Sequence, residues 1–136
     1  MWEVLLFAFF LFFPAPPYRG AGVTLFRNRG TEVLLVPDGS LWGFPANRTD
    51  AWDSSWQETA TRALYAHTGW EDGRDYTLCS SNEFRLGSYA YYTAHLSRFA
   101  RARSGAFRWV PVESVKKESI NDHVKLWSGV KTCHIL

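Results

Sequence analysis

The stretch from Ser54 to Trp70 constrains this chain more than any other. Ser55 followed three residues later by Glu58 is a capping-box signature, in which a hydroxyl and a carboxylate satisfy the free amides of a helix start. Ala60, Ala63, Leu64 and His67 then recur at i, i+3, i+4 and i+7, the spacing of one packed helical face. Gly69 stands just past the last periodic residue, where a helix ends in a left-handed cap. The stretch therefore reads as loop, helix and turn, and the fold must offer a surface to the Ala60–Leu64 face.

The segments around it read as strands. Gly22–Arg27 is apolar and β-branched, and Asn28-Arg29-Gly30 is turn chemistry. Thr31–Val36 is apolar from Val33 onward, as a central strand is. Pro37 is expected to end it, because proline donates no ladder hydrogen bond. Asp38-Gly39 turns the chain into Leu41-Trp42-Gly43-Phe44-Pro45. After the helix come Asp75–Leu78, then Phe84–Leu86, then the long aromatic run Ser88–Leu96. Ser97 to Gly105 is a basic loop carrying Arg98, Arg101 and Arg103, and Ala106–Val112 reads as a last strand. Asn121 is placed to cap a final helix with Val124, Trp127 and Val130 as its buried stripe.

The stretch resembles a Nudix box, whose pattern is G-x5-E-x7-R-E-U-x-E-E-x-G-U with U apolar. Arg62, Leu64, Gly69 and Trp70 match at the right mutual spacing. The three helical glutamates of the pattern fall on Ala63, Ala66 and His67, the loop glutamate on Ser54, and the opening glycine on Arg48. The segment between Pro45 and Arg62 is one residue longer than usual. The order strand, turn, strand, Trp-x-Phe-Pro is also how Nudix domains enter their box, and by element order the resemblance covers residues 20–131. It implies an α/β fold, a Nudix-type α/β/α sandwich with a mixed β-sheet, formed by residues 18–136.

What the resemblance implies for chemistry is divided. Nudix enzymes hydrolyse nucleoside diphosphates linked to another moiety. Their helix glutamates hold Mg²⁺ or Mn²⁺, which neutralises the pyrophosphate and activates water. Hard cations need oxygen ligands, which alanine lacks and histidine does not replace. The expectation is a protein without a metal, with Mg²⁺ or Mn²⁺ only if it is active. Asp53 and Glu58 are the candidate substitute carboxylates; both also lie where a helix N-terminus recruits acids. Arg62 is expected to pair with Asp53 and hold the loop together. Arg48, Arg98, Arg101 and Arg103 are candidates for binding a phosphate directly, and Trp42 and Tyr91 for walling a base. The expected function is a ligand- or partner-binding module for a nucleotide or another pyrophosphate. The alternatives are an active Nudix hydrolase using substitute carboxylates, and a secreted or membrane-tethered protein that uses the scaffold alone.

Composition sets outer limits. At 136 residues, 46% hydrophobic and 21% charged, the chain is one domain with a real core. A net charge of +2 carries no strong nucleic-acid signal. Residues 1–17 form an apolar, aromatic extension. Its Val4–Phe13 run is too short to span a bilayer and reads as a signal-like segment or as an arm packed on the domain. Cys79 and Cys133 form no metal-ligand spacing. Asn47-Arg48-Thr49 is a glycosylation sequon, useful only in the secretory pathway, and Cys133-His134-Ile135-Leu136 loosely fits a prenylation motif, useful only in the cytosol. A membrane partner enters only through the N-terminal run or Cys133. The compartment stays open, the cytoplasm being preferred to the secretory pathway.

Overall fold

A computed structural model describes residues 17–130. The N-terminal extension, apart from Pro17, and the Cys133 motif lie outside the described residues. No helix among those residues is long and apolar enough to cross a membrane.

The strands are β1 (Gly20–Arg27), β2 (Glu32–Asp38), β3 (Leu41–Gly43), β4 (Ala46–Arg48), β5 (Tyr76–Leu86), β6 (Tyr89–Leu96) and β7 (Arg108–Pro111). The helices are α1 (Trp56–Thr68), a 3-10 turn (Val112–Lys117) and α2 (Asp122–Leu126). One sheet runs in the order β3-β2-β1-β6-β5, with β4 on β1 and β7 on β2. β1 and β6 are parallel and the other pairs antiparallel, so the sheet is mixed. β1 and β2 pair at Phe26–Val33 and Arg27–Glu32 and then part. β1 goes on to β4, while β2 goes on to β7 and β3.

Period-two alternation decides the two faces. Ala21, Val23 and Leu25 of β1 and Ala90, Tyr92 and Ala94 of β6 pack with Ala60, Leu64 and Trp70 on the α1 side. Phe26, Val33, Leu35 and Tyr91 pack with Val115, Val124 and Trp127 on the other. The result is the expected α/β/α layering. Full burial of Leu64 contributes about 2 kcal/mol of hydrophobic stabilisation.

α1 begins and ends as its sequence dictates. The Ser55 hydroxyl accepts from the Glu58 amide, and Gly69 takes a left-handed φ of 76° while donating to the Tyr65 carbonyl. The Glu58 carboxylate reaches back to the amide and hydroxyl of Ser54, one residue earlier than in a standard capping box.

Four expectations are corrected. β2 runs through Pro37 to Asp38, with Pro37 opposite Trp42. By that point β2 has left β1, so the missing proline amide faces no second strand. Asp75–Leu78 and Phe84–Leu86 are not separate strands. β5 is continuous, and the polar residues between Cys79 and Phe84 are taken up in a register shift. The last strand is shorter than 106–112, because Val112 already belongs to the 3-10 turn. The final helix is a single turn. Asn121 caps it, and Val124 and Trp127 are buried as expected, but Trp127 has already left helical geometry. The Lys116 ammonium donates to the carbonyls of Val124, Lys125 and Trp127, satisfying the helix end there.

Candidate functional site

Where β1 and β2 part, a cleft of about 520 Å³ opens beside α1. β2 contributes Val36, Pro37 and Asp38, the β3–β4 segment Phe44, Ala46 and Asn47, and β6 Tyr89 and Tyr91. His67 lines it from the last turn of α1, and Asn121, Asp122 and His123 from the start of α2. Two close approaches shape its wall. A Cβ on Gly22 would lie 2.5 Å from the Tyr91 ring and 2.6 Å from the Pro45 carbonyl, so only glycine lets β1, β4 and β6 meet here.

The cleft is polar as well as aromatic. The Tyr91 hydroxyl lies 2.7 Å from His123 Nδ1, and the Tyr89 ring is 4.9 Å from the His123 ring. Burial lowers the His123 pKa, against the raising effect of Asp122 and Asp38, and raises the Tyr91 pKa. Near neutral pH a neutral phenol therefore shares this hydrogen bond with a neutral imidazole. Partial desolvation against the cleft wall also lowers the pKa of His67, although much of its surface stays exposed. Asn121 donates to Asp38 at 2.9 Å while its oxygen caps α2, which fixes Asp38 on the cleft wall. Asp38 and Asp122 are the carboxylates of this lining.

The box positions that would carry the helical glutamates occupy two settings. Ala63 is fully buried, but Ala66 and His67 are exposed, so the packed face expected to run from Ala60 to His67 stops short of His67, which turns toward the cleft instead. None offers an oxygen donor, and the described residues contain no group of three His, Cys, Asp or Glu side chains able to hold a metal. Asp53, although at the loop, does not reach the cleft. Its nearly inaccessible carboxylate accepts from the Asp50 amide at 2.9 Å, the Thr59 hydroxyl at 2.8 Å and Arg62 at 2.7 Å. Arg62 also pairs with Asp50 at 3.2 Å. Burial raises the Asp53 pKa, but these hydrogen bonds outweigh it and hold the group below its ordinary value.

Three solved structures are similar to this chain over most of their length. The Ap4A hydrolase of C. elegans superposes with a TM-score of 0.61 at 17% identity, covering 76% of this chain and 87% of that one. The NUDIX domain of Shewanella oneidensis NrtR, complexed with ADP ribose, gives 0.59 at 21%, covering 88% and 92%. The Nudix hydrolase RenU of M. Smegmatis gives 0.56 at 19%, covering 81% and 80%. This chain has a Nudix fold. No protein-family model and no curated protein matches its sequence, and at these identities the likeness is one of fold.

Within that Nudix fold, the residues singled out in the sequence are scattered. His67 and Tyr91 line the cleft. Trp42 packs on the second core under the Arg108 guanidinium, 5.1 Å from its ring. Ser54 and Glu58 belong to the helix start. Arg48 is exposed on β4, beside a shallow hollow formed with Tyr18, Arg19 and Trp56. Arg98, Arg101 and Arg103 lie in a different cavity, next to Trp70. Asp38, Asp122 and His123 were not marked as site residues by the sequence. No local pattern joins positions as far apart as Asp38 and Asn121, and only the fold brings them together.

The basic loop is tied down by Asp75. Its buried carboxylate accepts from the amides of Glu71 and Arg101 and from the Arg101 guanidinium. Burial alone would raise its pKa, but these hydrogen bonds and the Arg101 charge hold it at about 2. An unfolded aspartate titrates near 3.9. Asp75 therefore stabilises the fold fully above about pH 4, and that contribution is lost as pH falls toward 2. Acid unfolding followed by circular dichroism should steepen in this window. Asp75→Asn should flatten that slope and lower the melting temperature at pH 7.

Proposed function

We propose that this chain is a Nudix-fold binding module for a nucleotide or another pyrophosphate-type ligand, held in the cleft beside α1 without Mg²⁺-dependent hydrolysis. One observation carries this reading. The cleft is open and lined with ring faces, the amides of Asn47 and Asn121 and the carboxylates of Asp38 and Asp122, while the helix positions that would hold a metal are two methyl groups and an imidazole. That donor set does not fit a hard cation, so no step is routed through one. The cleft suits the uncharged parts of a nucleotide: Tyr89 and His123 offer ring faces for a base, and Asn47 an amide for hydroxyls. The similar NrtR domain, solved with ADP ribose, supports the choice of ligand class.

The histidines give the reading a pH signature. With pKa values lowered by burial, His67 and His123 are neutral at pH 7 and leave the cleft negative through Asp38 and Asp122. Affinity for an anionic ligand should rise as pH falls below the ordinary imidazole value of about 6.5. Tyr89→Ala should weaken ADP-ribose binding about tenfold, with some loss of melting temperature because the ring also packs against the second core. If ADP-ribose and a nucleotide panel give no heat of binding in either EDTA or Mg²⁺, the reading is wrong.

The active-hydrolase alternative has one observation in its favour: Asp38 and Asp122 are carboxylates on the cleft wall. It predicts phosphate release with Mg²⁺ or Mn²⁺ that Asp38→Asn or Asp122→Asn abolishes. Asp53 and Glu58, bound into the helix start, are less suited to that work.

A further inference from the structure

A second cavity, of about 700 Å³, lies beyond the end of α1 and shares no lining residue with the cleft. Arg27 and Arg29 reach it from the end of β1 and the turn that follows. Arg98, Arg101 and Arg103 reach it from the loop between β6 and β7. No acidic side chain lines it.

Two of these arginines are fixed. Arg27 pairs with Glu32 at 3.1 Å and lies over the Trp109 ring at 4.4 Å. Arg101 donates to Asp75 and to the Gly69 carbonyl, and its own carbonyl accepts from the Trp70 indole at 2.8 Å. The other three, Arg29, Arg98 and Arg103, are exposed and have no acidic partner among the described residues. Arg29 also sits at a φ of 59°, a left-handed conformation that glycine takes at no steric cost and arginine does not. Backbone strain of this kind tends to gather at binding sites.

We propose that this cavity is a metal-independent site for a compact ligand carrying two or more phosphate groups. The source is a soluble polyphosphate or the head group of a polyphosphorylated lipid. Guanidinium forks match phosphate oxygens in pairs, and the two fixed arginines reduce the ordering cost of binding. Three uncompensated charges in one concavity call for a polyanion rather than a single carboxylate. Phe99, 80% exposed next to Arg98, would meet a bilayer if the source is a lipid. The site does not depend on what the cleft binds.

The test is calorimetry of inorganic tripolyphosphate with the full chain in EDTA. One-to-one binding that weakens with salt is expected. Arg98→Ala/Arg103→Ala should weaken it about tenfold. Arg29→Gly should also weaken it, while leaving the melting temperature unchanged or higher, an effect that a merely structural role would not produce. The charge-matched pair Lys117→Ala/Lys125→Ala and the cleft variant Tyr89→Ala should leave it intact. Absence of binding, no effect of the arginine pair, or an equal loss with the lysine pair would overturn the proposal. Phosphatidylcholine vesicles with and without phosphatidylinositol bisphosphate separate the sources. Tripolyphosphate-competed capture by the phosphorylated vesicles assigns a lipid, and tripolyphosphate binding without capture assigns a soluble ligand. Capture that survives the arginine double substitution also overturns the proposal.

Discussion

Gly22→Val is expected to lower the stability of this protein by about 3 kcal/mol or more, and the melting temperature by about 10 °C. Gly22 lies in β1 between Ala46 of β4 and Tyr91 of β6. Even a Cβ would meet the Tyr91 ring at 2.5 Å, the Pro45 carbonyl at 2.6 Å and the Ala46 methyl at 2.7 Å. None of the three can yield cheaply. Tyr91 is 1% exposed and its ring is packed between Phe44 and Phe84, with centroids 5.9 and 6.0 Å away. The Pro45 carbonyl accepts the Val23 amide at 2.9 Å and Ala46 begins β4, so moving either breaks pairing with β1. The two added methyls of valine enlarge each overlap. Because Tyr91, Phe44 and Ala46 also line the cleft, ligand binding should fall together with stability. A melting curve indistinguishable from the parent's would show that β1 is not paired in this register.

Asp53→Ala has the second-largest expected effect, about 2 kcal/mol of stability. The substitution removes the shared acceptor of the Asp50 amide, the Thr59 hydroxyl and the Arg62 guanidinium. The loss falls short of a fully buried pair because the Arg62 side chain is about one-third exposed and solvent screens it. Arg62→Ala should cost a similar amount, and the double variant clearly less than the sum, since the two groups serve one contact. Glu58→Ala touches only the exposed helix start and should cost less than either. Chemical denaturation of the four variants checks the ranking. If Asp53→Ala and Glu58→Ala were instead equally harmless, Asp53 would not be the residue that closes the loop onto α1.

The contrast between these two sites shows what the sequence could reveal. Helix α1 was legible because its signals are local. The Ser55 cap, the Ala60–Leu64 spacing and Gly69 are fixed by neighbours within four residues, and they lie where expected. The Arg62–Asp53 pair was legible by the spacing of the box. β1, β2 and β6 were legible from apolar continuity. Pro37 misled because its effect depends on whether a second strand lies beside it, which is a property of the sheet rather than the residue. The single-turn α2 was overread because Lys116, several residues upstream, terminates it. The cleft was the least visible part. Tyr91 is legible as a ring for the wall and does line the cleft, but Asp38 and His123 read as turn and helix residues until the fold places them beside it. The basic residues were visible as a run, but their gathering with Arg27 and Arg29 depends on where β1 ends.

The proposed binding of a nucleotide in the cleft without metal chemistry is tested most directly by calorimetry of ADP-ribose with product analysis on the same samples. Saturable binding is predicted in EDTA, unchanged by added Mg²⁺ and accompanied by no release of AMP. Mg²⁺-dependent cleavage of ADP-ribose that disappears in Asp38→Asn would contradict it.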